Sequence, residues 1–331
     1  MRALAWILVM GIITAAAMGA YGWHALRTPA DPEGEETWVK IPRGASVTEV
    51  ESQLVALGLL RARTPWTWYL RLSGQDTSIR SGTFALSGAQ TPLEIAEQLA
   101  AGRTVLLPVT LPEGLTEPQS LARLSAALVV PLSELEDAAR AVSASIPGAR
   151  RTGTLNGYLF PETYHFEHET VPVEILKTVT GALFEFFDVG RQEAAARLGM
   201  DLHAVLTLAS IIEAETARPE ERRRVSAVFH NRLSRGMLLQ ADPTVAFATG
   251  RIGQPLWHEH LEVDSPYNTY RHAGLPPGPI NSPGRESIDA ALDPLEDCRD
   301  LYFVARGDGT HIFSPTLEAH ERARRSVRRG S

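Results

Sequence analysis

The 331 residues are 44% hydrophobic and 21% charged, an ordinary globular composition, and the length suits about two compact units. A formal net charge of -7 argues against a nucleic-acid partner. The single cysteine, Cys298, excludes an intramolecular disulfide and leaves no basis for a thiolate metal site.

From Ala3 to Leu26 no residue is formally charged when His24 is neutral, a run of about 24 residues that is long enough to span a bilayer. Trp6 lies near one end, and Tyr21 and Trp23 near the other, as interfacial aromatic belts require. Arg2 and Arg27 flank the run almost evenly, so the charge rule for orientation is weak. The small residues Ala15-Ala16-Ala17-Met18-Gly19-Ala20 also permit a cleaved signal peptide. The apolar run continues past them, which favours an uncleaved anchor over residues 1–27. Either reading exports everything after Arg27. Residues 28–37 are a polar linker rich in Pro, Gly, Asp and Glu.

Residues 38–104 predict a small α+β module. Trp38–Pro42 alternates like a strand, and Ser46 with Glu49 forms a capping box before a helix that stops at Gly58. A second helix is expected over Pro65–Leu72, a strand over Gly82–Leu86, and a capped helix from Thr91 to Gly102. Residues 105–331 predict a larger mixed helical and β domain, giving an α+β fold class overall. A strand is expected over Val105–Leu111, helix between Ser120 and Arg140, and an aromatic stretch from Leu155 to Phe166 broken by Gly and Pro. Helices follow over Val173–Phe187, Gln192–Leu198, Asp201 to about Arg218, and Glu220–Leu233. Met237–Gly284 is loop-rich and proline-rich, the kind of segment that builds a cleft on a helical scaffold. After a helix from Ser287, two short strands flank Arg306-Gly307-Asp308-Gly309-Thr310, a hairpin in which Arg-Gly-Asp is a turn and not an adhesion signal. The final Arg322, Arg324, Arg325, Arg328 and Arg329 read as a solvated helix face, or as a contact for anionic lipid or wall polymer.

Three segments could carry chemistry. In the helix His203–Thr216 two glutamates follow several apolar turns, and a desolvated carboxyl there would stay protonated near neutrality, as a general acid must. Glu213 and Glu215 are about 200° apart around the helix, so only one can enter a given cleft. Both could instead be solvated partners of Arg218 or Arg222. Gln240-Ala241-Asp242-Pro243-Thr244 is the second segment, where Asp242 before Pro243 also suits a plain helix cap. Ser265–Tyr270 and Gly274–Ile280 form the third, with tyrosine rings and an asparagine amide suited to sugar faces and hydroxyls. His258 and His260 make an isolated H-x-H pair, with His230 and His272 elsewhere, which is too little for a metal site. No glycine-rich phosphate loop or serine elbow is present, and no cofactor is expected.

Several of these strings, in fixed order, resemble the YceG-like endolytic murein transglycosylases. They are Gly157–Tyr164, Leu208–Thr216, Val228–Leu233, Gly236–Val245, Tyr267–Tyr270, Gly274–Gly278 and Leu301–Ala305. The resemblance runs from the membrane segment to about Glu318. It implies cleavage of the MurNAc–GlcNAc β-1,4 bond within peptidoglycan strands without water, leaving 1,6-anhydro-MurNAc ends. It also implies a LysM-like subdomain over residues 38–104, peptidoglycan synthases as partners, and a catalytic domain on the outer side of the cytoplasmic membrane.

The family's catalytic glutamate falls on Glu215. Gln240, Asp242, Thr244, Tyr267, Asn268 and Tyr270 are expected to hold the glycan, with Glu162 and Glu213 as accessories. Ala214 and Ala241 stand where the family often has polar residues, and His230 where apolar ones are frequent. None of these departures removes a carboxylate. A glycan-binding scaffold without activity and a hydrolase that uses water are the two rival readings.

Overall fold

A computed structural model describes residues 2–62, 65–168, 170–216 and 218–330, and the chain divides into two compact units. The first comprises residues up to Leu107 together with Phe166–His168. Its first element, α1 (Arg2–Leu26), is apolar and exposed from Trp6 to Tyr21, with Leu26 buried in the core, and its Trp6–Leu26 portion is long and apolar enough to cross a membrane. Strand β1 (Glu36–Ile41) pairs antiparallel with a strand that follows two helices, α2 (Val47–Ala56) and α3 (Trp66–Ser73). That partner is β2 (Gly82–Ser87), with Trp38 opposite Ala85, and α4 (Pro92–Ala101) follows it.

Local chemistry sets the helix starts. Glu49 accepts from the Ser46 backbone N–H at 2.7 Å while Ser46 Oγ accepts from the Glu49 N–H at 3.3 Å. Thr91 and Glu94 repeat the arrangement at α4, and each such cap is worth about 1 kcal/mol. The core gathers Val39 and Ile41 of β1, Leu54 of α2, Leu70 of α3, Phe84 of β2 and Ile95 and Leu99 of α4. Trp66 is fully buried at its centre, with its indole N–H donated to the Pro92 carbonyl at 2.9 Å.

The second unit comprises residues 108–165 and 169–331. Strands β3 (Leu106–Thr110) and β4 (Thr163–Glu167) pair in a two-stranded sheet. Between them run α5 (Glu117–Leu128), α6 (Leu132–Ser145) and α7 (Pro147–Thr152). Then follow α8 (Pro172–Phe186), α9 (Val189–Arg197), α10 (Leu202–Glu215), α11 (Pro219–Ser234), α12 (Asp242–Ala248) and α13 (Arg285–Leu292). The hairpin β5 (Tyr302–Ala305) and β6 (His311–Ser314) and the helix α14 (Leu317–Gly330) close the chain.

Helix α10 is the spine of this unit. Asp201 caps it by accepting from the Ala204 N–H at 2.8 Å, and Val205 to Ile212 are buried on every side. A helix apolar all round belongs in a core, and α11, α12 and α13 pack against it. The expected extension to Arg218 does not form: Thr216 is extended at φ -142° and ψ 128°, which ends the helix on Glu215. Ala217, within that expected extension, lies outside the described residues.

Two elements are not expected from the sequence: strand β4 occupies part of the aromatic stretch, and α7 forms between the helix ending near Arg140 and that stretch. The terminal arginines lie on the helix α14, in line with the helix face read for them. α7 is too short to show an apolar period, and only Pro147 at its first turn marks it.

Candidate active site

Glu215 lines a cavity of about 470 Å³ together with Gly114, Thr116, Asp242, Phe247 and Asn281. The walls come from four places: the end of α10, the start of α12, the loop before α5 and the segment before α13. The loop Ile252–Leu256 adds an apolar side. Burial pushes the Glu215 carboxyl up to about 8, with the charge of Asp242 adding to the rise and Arg232 opposing it. At neutral pH this carboxyl is therefore protonated.

Glu213 points elsewhere. Its side chain is 11% exposed, Oε2 accepts from the Gly284 N–H at 3.0 Å, and Oε1 is 4.0 Å from Arg222. The Glu113 carboxyl packs against Gly284 so closely that a side chain there would collide with it. Burial and the nearby Glu213 raise the Glu113 carboxyl above the ordinary value. Glu213 thus ties α10 to the start of α13, while Glu215 faces the cavity.

The Gln240–Thr244 segment is held by Thr269. Gln240 N–H donates to the Thr269 carbonyl at 3.1 Å, and Ala241 N–H donates to Thr269 Oγ1 at 3.0 Å. Thr244 hydroxyl donates to the Ala241 carbonyl at 2.7 Å, so at 2.9 Å the Thr269 hydroxyl must be the donor to Thr244. Thr244 and Thr269 are fully buried. Gln240 is exposed with φ +50°, a left-handed conformation that costs a non-glycine residue about 1–2 kcal/mol. Asp242 does not act as the expected cap. Ala241 occupies that position, Asp242 sits in the first turn of α12, and its Oδ1 accepts from the Tyr270 hydroxyl at 2.5 Å.

Asn268 is buried and its amide is committed to the loop. Nδ2 donates to the Leu261 and Val263 carbonyls, both at 2.9 Å, and Oδ1 accepts from the Tyr270 N–H at 3.0 Å. Tyr267 is half-buried with its ring 4.9 Å from Phe247, a cavity residue. Glu162 is exposed, pairs with Arg285 at 3.2 Å and does not line the cavity. The structure therefore brings Glu215 and Asp242 together in the cavity, with Tyr270 bound to Asp242 and Tyr267 against its wall. It puts Thr244 and Asn268 behind them as braces.

Residues without an assigned role in the sequence also build the site. Arg232 is buried, with its Nε–H donated to the Leu301 carbonyl at 2.6 Å and Nη1 to the Leu239 carbonyl at 2.7 Å. Its charge faces Glu215 and Tyr270. Ser210 Oγ accepts from the Ile280 N–H at 3.0 Å, and Asn281 Nδ2 donates to the Ser210 carbonyl at 2.9 Å, fixing the wall behind Glu215. His203 bridges the Tyr158 hydroxyl at 2.9 Å and the Pro277 carbonyl at 2.8 Å. Since that carbonyl only accepts, Nε2 carries the proton and Tyr158 donates to Nδ1. Close packing of the same loop requires Gly157, at φ +81°, because a β-carbon would overlap Pro279. Of the histidines considered for metal, His230 bonds the Ala291 carbonyl at 2.9 Å and His260 Nδ1 accepts from Trp257.

The family model for the YceG-like family matches residues 39–326. The chain belongs to the YceG-like family. Among family relatives, an endolytic murein transglycosylase of Bacillus subtilis is 30% identical over 322 residues, 92% of this chain and 88% of the relative. One from Streptococcus pneumoniae is 28% identical, covering 86% of this chain but 57% of that longer protein. A crystal structure of a YceG-like protein from Listeria monocytogenes superposes with a TM-score of 0.60 at 30% identity, covering 88% of this chain and all of that one. The YceG-like match reaches into both units, from Val39 in β1 onward, and takes in the cavity residues.

Proposed function

We propose that this chain is a membrane-anchored endolytic murein transglycosylase. It cuts the MurNAc–GlcNAc β-1,4 bond inside peptidoglycan strands and leaves a 1,6-anhydro-MurNAc end. The observation that carries the reading is a single protonated carboxyl, Glu215, in a cavity of a YceG-like chain whose relatives bear that activity's name. Glu215 gives its proton to the leaving glycosidic oxygen. As a carboxylate it then takes the proton from the C6 hydroxyl while O6 closes on C1. The nucleophile belongs to the sugar, so neither water nor a second base is needed, unlike a glycosidase with paired carboxylates.

Within this reading Gln240, Tyr267 and Tyr270 position the glycan, and Thr244 and Asn268 hold the loops that carry them. Glu162 and Glu213 support the frame from outside the cavity. Helix α1 keeps the enzyme in the cytoplasmic membrane with the rest outside, beside the synthases whose nascent strands it trims. Residues 38–104, with β1 and β2 paired antiparallel around α2 and α3, serve as the LysM-like glycan-holding module. Mass analysis of muropeptides released by the full-length protein is the test. Anhydro ends support the proposal, reducing ends indicate a hydrolase, and no product leaves a glycan-binding scaffold.

A further inference from the structure

Asp242 is the other carboxylate of the cavity, and its surroundings differ from those of Glu215. Its Oδ1 receives the Tyr270 hydroxyl at 2.5 Å, and it stands in the first turn of α12. Asp242 is exposed, whereas Glu215 is half-buried. Asp242 makes no side-chain cap, so holding the helix start does not account for it. Two carboxyl groups in unlike surroundings can divide the roles of acid and charge stabiliser in glycan cleavage.

We propose that Asp242, fixed by Tyr270, is the negative charge that faces the anomeric carbon and stabilises the cationic sugar ring formed as the glycosidic bond breaks. This rests on the transglycosylase reading and adds a second catalytic residue to it. When C1–O4 breaks, its electron pair leaves with O4, which takes the Glu215 proton. The ring then carries one positive charge against the Asp242 carboxylate. O6 next forms its bond to C1 and its proton passes to Glu215, so the enzyme ends as it began. Asp242 forms no bond and needs no water. Its charge also holds the Glu215 proton in place before reaction, with Arg232 from α11 opposing it.

The test compares full-length wild type with Asp242→Asn, Asp242→Glu and Glu215→Gln in nanodiscs, on uncrosslinked glycan strands. Asn keeps the shape but not the charge, and kcat is expected to fall ~100-fold, the size of loss seen when one preorganised charge-stabilising group is removed. KM should stay within about threefold, because the charge develops only in the transition state. The alkaline limb of the rate profile should move to lower pH, since Glu215 loses a neighbouring negative charge. Asp242→Glu should recover part of kcat and return the limb towards its place, which a merely structural role would not do. Asp242→Asn with unchanged kcat and an unmoved limb overturns the inference, provided that Glu215→Gln is inactive. An active Glu215→Gln variant instead overturns the reading beneath it.

Discussion

Glu213 and Glu215 sit two residues apart on one helix and meet opposite surroundings. The Glu213 side answers its carboxylate with a backbone N–H from Gly284 and the Arg222 guanidinium. The Glu215 side offers packing, a second carboxylate and an arginine, Arg232, whose Nε and Nη1 hydrogens go to backbone carbonyls. The first environment makes a charge structural. The second keeps a proton available to a ligand. The difference shows that a carboxyl becomes an acid through what is withheld from it, here the compensating donors that Glu213 has.

Exchanging each glutamate for glutamine breaks the comparison most sharply. Glu215→Gln should lower the rate of glycan cleavage by about 10³-fold, within the range of general acid–base contributions, while circular dichroism shows an unchanged fold. Glu213→Gln should keep activity within about tenfold but cost on the order of 1–3 kcal/mol of stability, since the partly buried Arg222 then loses a counter-charge. A reversal of the two activities would reassign the acid.

The Thr269 hub comes next in size. Thr269→Val removes the hydroxyl shared by Ala241 and Thr244, and should cost about 1–3 kcal/mol and lower kcat by loosening Asp242. Full kcat at reduced Tm would separate the brace from the chemistry. Linkage gives a separate, pH-dependent effect. The folded Glu215 carboxyl lies at about 8, against an ordinary glutamate value of ~4.3 once unfolded. Between those values the native state binds the extra proton, so stability falls as pH rises through that window. Glu215→Gln cannot ionise, so its Tm should match wild type near pH 4 and exceed it increasingly towards pH 8. Parallel Tm curves would contradict the raised carboxyl. Smallest of all, Gln240→Gly should relieve the left-handed backbone and add roughly 0.4–1 kcal/mol of stability, with kcat falling if the amide touches glycan.

The helical frame was legible because its signals are local. Ser46 with Glu49 and Thr91 with Glu94 form the boxes that their spacing predicts, and the apolar run before Glu213 is a buried helix. The Arg-Gly-Asp hairpin turn is local in the same way. The site was legible only in part. The helix period separates Glu213 from Glu215, yet nothing local says which side holds a cavity, because its walls come from Gly114, Asp242 and Asn281, far apart in the chain. Arg232 stood within a recognised string without a role, since its partners Leu239 and Leu301 meet it only in the folded chain. Asp242 before Pro243 carried the marks of a helix cap, and the Tyr270 hydroxyl that claims it lies 28 residues away.

Direct titration of the Glu215 carboxyl tests the account at its centre. Infrared difference spectra of the full-length protein across the pH range, with Glu215→Gln subtracted, isolate the protonated carbonyl stretch of this one group. The band is expected to persist at neutral pH and to disappear with a midpoint near 8. A midpoint at the ordinary glutamate value would leave the cavity without its acid.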